Sequence, residues 1–291
     1  MVQTSEVIDA QVHVWTPCSP SRPWRRDFAA SRSSWLSFGL PVTVEHALGA
    51  MDAVGVHRSL LTSFPLADDA RYEVAAVAAH PDRFGLVLQV DPRRETDPDA
   101  ILARYREHPG LVAVRVSFTD DRGVADYSWA NADECETLYA AASAHAVPVM
   151  LSVPGQVRRF ADVFARHRRT RFVIDHLGLP QGRPWRVPAV PLADLPDTLT
   201  MARFDNVAVK LSGLPTLSRT GYPFPDVLPA VRQVMDCYGR ERVIWASDFS
   251  RTRTMYRYGE ALDYLRYCKS LTPTDKEWLL GRAAQSFLDW P

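Results

Sequence analysis

Eight short apolar segments alternate with helix-length stretches along the whole chain, and this alternation limits the fold more than any other feature. The segments are Ile8–Trp15, Ser59–Thr62, Phe84–Val90, Leu111–Ser117, Val147–Ser152, Arg171–His176, Val207–Ser212 and Arg242–Asp248. Each is short and rich in Val, Ile and Leu, which predicts a strand buried on both faces. Helices are expected from the Thr43 cap to Ala53, then over Asp68–His80, Asp97–His108, Ala132–Ala146, Val157–Arg168, Leu192–Arg203 and Asp226–Tyr238, with two more at the C-terminus. Strand starts fall roughly 25 to 50 residues apart, as in parallel βαβ units. Eight such units predict an α/β fold, a single (β/α)8 TIM-like barrel domain over residues 1–291. The competing open, doubly wound sheet has no support: no GxGxxG follows a strand and no P-loop is present.

Two segments stand outside the alternation. Thr16 to Pro41 is long and irregular, with Trp24, Trp35, Arg22, Arg25, Arg26 and Arg32. A loop of that length is a lid or is disordered, and its tryptophans favour a lid over the end of the first strand. The second segment is the C-terminal helix over 272–291. It opens with Thr272-Pro-Thr-Asp275, in which Thr272 caps, Pro273 takes the first helical position and Asp275 reciprocates.

Composition bounds the partners. Lys+Arg and Asp+Glu both number 34, so nothing global attracts nucleic acid or an anionic membrane. Cys18, Cys135, Cys237 and Cys268 are far apart and form no CxxC pair, which argues against a zinc ribbon and for a reducing compartment. No apolar run is long enough to span a bilayer. The opening residues MVQTSEV lack a basic region and an apolar run, so no signal peptide is expected and a cytoplasmic location is. Aromatic residues in the lid would serve a homodimer as well as a pocket.

Barrel enzymes carry their chemistry at the carboxyl ends of the strands. Those ends hold Gln11 and His13, Arg115, Ser152, His176, Lys210 with Ser212, and Asp248. Along the first strand, alternation places Asp9, Gln11 and His13 on one face and Ile8, Ala10, Val12 and Val14 on the other. Asp175 is expected to point away from His176, so the two form no dyad. Each residue also has a structural reading. His13 suits a hydrogen-bonded core, Lys210 an ion pair inside the barrel, Ser152 a small strand end, and Asp248 a cap for the next helix.

The stretches IDAQVHVW, HPDRFGLVLQVDP, GLVAVRV, VPVML, VIDHLG, VAVKLSG and VIWASDFS, in that order, resemble the amidohydrolase-related branch of the amidohydrolase superfamily. That branch includes 2-pyrone-4,6-dicarboxylate lactonase, sugar-acid lactonases and nonoxidative aromatic-acid decarboxylases. The resemblance implies a β/α barrel with Asp248 as the carboxylate that activates water or moves protons. Metal-using members carry His-x-His or Glu-x-His on the first strand, histidines on the fifth and sixth, and the eighth-strand aspartate. His13, His176 and Asp248 match, while Gln11 replaces the first ligand and Ser152 stands near the missing fifth-strand histidine. Zinc prefers imidazole, thiolate or carboxylate to a neutral amide.

The expected activity is therefore metal-independent hydrolysis of a lactone, or a similar cyclic ester, bearing a carboxylate. Asp248, His13, His176 and Arg115 would be catalytic, and Gln11, Trp15, Ser152, Lys210 and Arg251 would contact substrate. Trp24 and Trp185 would help wall the pocket, and Arg253 and the lid arginines would assist with the carboxylate. The alternatives are a decarboxylase or carbon–carbon hydrolase with one zinc or manganese ion held weakly by His13, His176 and Asp248, and a degenerate barrel that binds an intermediate without hydrolysing it.

Overall fold

A computed structural model describes residues 6–23, 41–64, 69–94, 97–107, 110–118, 125–182 and 187–290. Eight strands form one sheet in chain order, with every recorded pairing parallel. They are β1 (Ile8–Val12), β2 (Arg58–Thr62), β3 (Phe84–Gln89), β4 (Leu111–Ser117), β5 (Val149–Ser152), β6 (Phe172–Ile174), β7 (Val207–Lys210) and β8 (Val243–Ile244). The two edges meet through backbone bonds, Ala10 N–H donating to Trp245 O at 3.3 Å and Asp248 N–H to Gln11 O at 3.2 Å. The expected TIM-like barrel is the observed architecture.

The helices between strands are α1 (Val44–Val54), α2 (Arg71–Ala79), α3 (Pro98–Arg106), α4 (Asp133–Ala144), α5 (Ala161–Arg166), α6 (Leu195–Thr200) and α7 (Leu228–Tyr238). After β8 come α8 (Phe249–Thr252), α9 (Tyr258–Arg266), α10 (Pro273–Glu277) and α11 (Ala283–Leu288). Two expected helices are shorter than their apolar pattern. Val157–Phe160 and Met201–Arg203 are tighter 3₁₀ turns flanking α5 and α6. The C-terminal cap forms as expected: Asp275 N–H donates to Thr272 Oγ1 at 3.1 Å and Thr272 N–H to Asp275 Oδ2 at 3.0 Å.

Side chains sort into two apolar layers by strand parity. Inside the barrel sit Leu60, Val87, Ala113, Met150, Val173, Ala208 and Ile244, closed below by Trp290. Between strands and helices lie Leu61, Val114, Leu151, Ile174 and Val209 among others. Gly85 allows the lower closure, because a Cβ there would come within 2.9 Å of the Trp290 ring and 2.7 Å of Val112. Removing such area from water is the main drive for closure, about 1.5–3 kcal/mol per large aliphatic side chain.

Strand β1 departs from the expected alternation. Ile8 and Ala10 pack in the inner layer, whereas Val12 and Val14 join the outer one. The pairing with β2 shifts register between Asp9 and Val12. That one-residue slip exchanges the faces. Asp9 therefore leaves the face of Gln11 and His13 and turns toward α9. There it accepts hydrogen bonds from Tyr258 Oη (2.8 Å), from the Ser247 backbone (2.9 Å) and from Ser247 Oγ. Asp9 ties β1 to β8 and α9 and takes no place at the mouth.

The expected lid falls mostly on residues 24–40. Trp24, Arg25, Arg26, Arg32 and Trp35, like Trp185, lie outside the described residues. The ends of that segment are described: Trp15 N–H bonds Val42 O at 2.8 Å, and Ser19 pairs with Arg22 in a turn.

Candidate active site

The barrel mouth gathers polar side chains from five strand ends: Gln11 and His13, Arg115 and Ser117, Asp175 and His176, Lys210 and Ser212, and Asp248. Gln11, His13, Asp175, Lys210, Ser212 and Asp248 are at most 1% exposed, so each needs a partner. Parity explains most of this placement. Arg115 follows Ala113 inward, Lys210 follows Ala208, and Asp248 follows Ala246.

The lower part is a buried ion triad. Asp175 Oδ2 accepts from Arg115 Nε at 2.6 Å, and Asp175 Oδ1 lies 2.7 Å from Lys210 Nζ. Lys210 also donates to Gln11 Oε1 at 3.0 Å and touches the Met150 sulfur at 3.2 Å. Arg115 donates further to Ser117 Oγ at 2.9 Å and Gln89 Oε1 at 3.1 Å. Burial alone would raise the Asp175 pKa, but Lys210 and Arg115 hold it well below the usual carboxylate range. Burial lowers Lys210 from its ordinary value against the pull of Asp175. Asp175 thus points inward as Val173 does, beneath His176, which corrects the expectation that it turns away from the site.

The upper part depends on three left-handed residues. Strand β6 ends at Ile174, and His176 and Leu177 then take φ values of 54° and 55°. Asp248 takes 53°. Non-glycine residues rarely occupy this region, and they concentrate where a site holds them. The turn brings His176 inward directly after an inward Asp175, which strand alternation alone forbids. Strand β8 ends at Ile244, and Asp248 stands at the start of α8. Asp248 is that helix's N-cap, yet its side chain makes no capping bond. The carboxylate is directed instead at the mouth.

Asp248 Oδ1 lies 3.9 Å from His13 Nε2, and Oδ2 accepts from Arg251 Nε. Burial would raise Asp248, but Arg251 first, then His176 and His13, keep it below its ordinary value. Burial pushes both His13 and His176 down to about 4, overcoming the pull of Asp248. At neutral pH the mouth therefore holds an ionised carboxylate between two neutral imidazoles. Counting Arg115, Lys210 and Arg251 against Asp175 and Asp248, one positive charge is in excess.

The remaining sequence-derived residues sit around this cluster. Ser152 pairs with Ser117 at the end of β5 and is partly buried. Trp15 stacks on Phe64 with centroids 4.7 Å apart, and Arg253 approaches its ring at 5.6 Å. These two rings wall a cavity of about 290 Å³, lined also by Arg22, Tyr72 and Glu73, alongside the mouth. Asp175, Gln89 and Ser117 were not singled out from sequence. For Asp175 the signal was there, since an acidic residue two positions after an inward valine faces the same way.

The donors fit a resident metal ion poorly. Gln11 turns its amide nitrogen to His176 Nε2 at 3.5 Å, and the Arg251 guanidinium covers Asp248 Oδ2. Among the described residues no three His, Cys, Asp or Glu side chains are arranged to hold a metal.

The amidohydrolase family profile matches residues 8–290. The chain belongs to the amidohydrolase family. It is 29% identical over 272 residues to an L-fucono-1,5-lactonase from Burkholderia ambifaria, covering 90% of this chain and 86% of that one. Its fold is that of an amidohydrolase from Burkholderia multivorans solved with bound HEPES, at a TM-score of 0.79, 17% identity and coverage of 99% and 100%. The same protein has been solved with zinc bound, at a TM-score of 0.76, 19% identity and coverage of 99% and 100%. A probable 2-pyrone-4,6-dicarboxylic acid hydrolase from Acinetobacter baumannii, with citric acid bound, superposes at a TM-score of 0.73 with 17% identity, covering 98% and 100%. No helix among the described residues of this amidohydrolase is long and apolar enough to cross a membrane.

Proposed function

We propose that this amidohydrolase opens a small lactone or similarly activated cyclic ester, using Asp248 as general base and no tightly held metal. The observation that carries this reading is the Asp248 carboxylate. It is buried, unused as a helix cap, kept ionised by Arg251 and directed at two neutral imidazoles. A general base so placed takes a proton from water as the water oxygen adds to the ring carbonyl. The excess positive charge of the cluster, with His13 nearby, favours the negative charge that develops on the carbonyl oxygen. When the ring C–O bond breaks, Asp248 returns its proton to the departing oxygen, and the product is an open-chain hydroxy acid. A carboxylate on the substrate suits the same excess charge. The kinship with a fuconolactonase supports the lactone class.

The test is a pH-indicator assay over aldonolactones, 2-pyrone-4,6-dicarboxylate and aromatic carboxylic acids, run with and without a chelator. Proton release from a lactone that survives chelation is the expected result. Decarboxylation of an aromatic acid only after zinc or manganese is added would replace the reading with the metal-dependent one. No reaction with any lactone or acid would leave a binding protein.

A further inference from the structure

The geometry points to Lys210 as a positioning residue, whose ammonium fixes the Gln11 amide and through it the Nδ1-protonated tautomer of His176. The argument follows donors and acceptors along a single chain. A lysine ammonium only donates. Lys210 Nζ lies 3.0 Å from the Gln11 side chain, so the amide group facing it is the oxygen. The Gln11 NH2 must then face His176 Nε2, at 3.5 Å. An amide nitrogen also only donates, so His176 Nε2 must be the lone-pair end of the ring. A neutral imidazole then carries its proton on Nδ1. That nitrogen lies 2.8 Å from Ser212 Oγ and 3.2 Å from Ser212 O, both able to accept. Ser212 Oγ also takes the His176 backbone N–H at 3.1 Å, which anchors the residue in its left-handed turn.

The origin of the order is the triad below. Asp175 fixes Lys210 at 2.7 Å, and Arg115 fixes Asp175 at 2.6 Å. Rotating the Gln11 amide by half a turn would set NH2 against ammonium and leave two donors facing each other in a buried site, a costly arrangement. A doubly protonated ring would set its Nε2–H against the Gln11 NH2, again two donors facing each other. One tautomer therefore survives, with the Nε2 lone pair accepting from the Gln11 amide. Lys210 reaches His176 only through Gln11, since its ammonium is taken up by Asp175 Oδ1 and Gln11 Oε1.

Heteronuclear NMR of labelled histidine ring nitrogens tests the tautomer directly, with His176 assigned by its loss in His176→Gln. The wild type is expected to show His176 protonated on Nδ1. In Gln11→Glu, a side chain of the same shape but without donors, the proton is expected to move to Nε2. Turnover, the readout that rests on the hydrolytic reading above, is expected to fall about 10- to 100-fold in kcat with little change in KM, the size of loss seen when partners orienting a site's histidine are removed. Lys210→Met is expected to give a mixture of tautomers, and Lys210→Arg to restore one. A wild-type ring protonated on Nε2 overturns the inference, as does an unchanged tautomer in Gln11→Glu. A moved proton with unchanged kcat would leave the tautomer assignment standing and remove its role in turnover. The NMR readout needs no substrate, so it decides the tautomer even if no lactone is hydrolysed.

Discussion

Asp248 Oδ1 and His13 Nε2 stand 3.9 Å apart across the seam where the last strand meets the first. Backbone bonds from Asp248 N–H to Gln11 O and from Ala10 N–H to Trp245 O hold that seam closed, so barrel closure itself creates the pair. A carboxylate and an imidazole drawn from opposite ends of the chain meet only in the finished fold.

Asp248→Asn should lower kcat by about 10²–10⁴-fold, the usual worth of a placed general base. Asn keeps the shape but cannot take the proton. Since the Asp248 side chain caps nothing, the circular dichroism spectrum should be unchanged. Near-normal turnover of the best lactone would remove Asp248 from the reaction.

The pH profile of kcat/KM should be flat from about 8 down to about 5.5 and fall toward about 4. Both imidazoles are held down to about 4 by burial, so neither gains a proton near the ordinary histidine value. Asp248, below its ordinary value, stays ionised over the same range. An inflection near 6.5 that disappears in His13→Asn would show an imidazole less buried than described.

Asp175→Asn should destabilise the fold by about 3–5 kcal/mol, because it leaves Lys210 and Arg115 as buried cations without their carboxylate. Adding Lys210→Met to it should recover part of the loss, since the uncompensated ammonium is gone. Urea unfolding of the single and double variants measures both. Strict additivity of the two substitutions would mean that the residues do not interact.

Glu73 gives a pH-dependent stability term. Its buried carboxyl accepts the Phe64 N–H at 2.6 Å, and burial pushes its pKa up to about 7. A raised carboxyl contributes fully below its unfolded value of 4.5, and the contribution is lost as pH rises through 7. Glu73→Gln keeps an acceptor for Phe64 and never ionises. Relative to wild type it should therefore gain about 2 kcal/mol between pH 5 and pH 8. Thermal unfolding at the two pH values checks this, and an equal difference at both would refute the buried carboxyl.

Particular residues show where reading the sequence stopped. The parity rule placed Arg115 and Lys210 inward correctly because their strands run regularly into the mouth, and it placed Asp248 inward although β8 ends at Ile244. It failed at Asp9, where the shift in pairing with β2 is set by the neighbouring strand and leaves no mark in IDAQVHVW. Asp175 follows Val173 inward as parity requires, and the rule failed next at His176, where the strand has ended at Ile174 and two left-handed residues replace alternation. Whether Asp248 caps α8 or faces the mouth was undecidable in sequence, since WASDFS suits both. Arg251 at the next turn decides it by engaging the carboxylate.

The amino-acid order by itself determined the barrel, the strands that build it, and which strand ends carry ionisable groups. Those follow from local periodicity, which each segment expresses without its neighbours. Only the tertiary structure decided which of those groups pair. Asp175 with Lys210 and Arg115, Gln11 with His176, and Asp248 with Arg251 and His13 depend on distances between side chains that ring closure sets. Burial at the mouth then fixes their charges, and burial is a property of the whole fold.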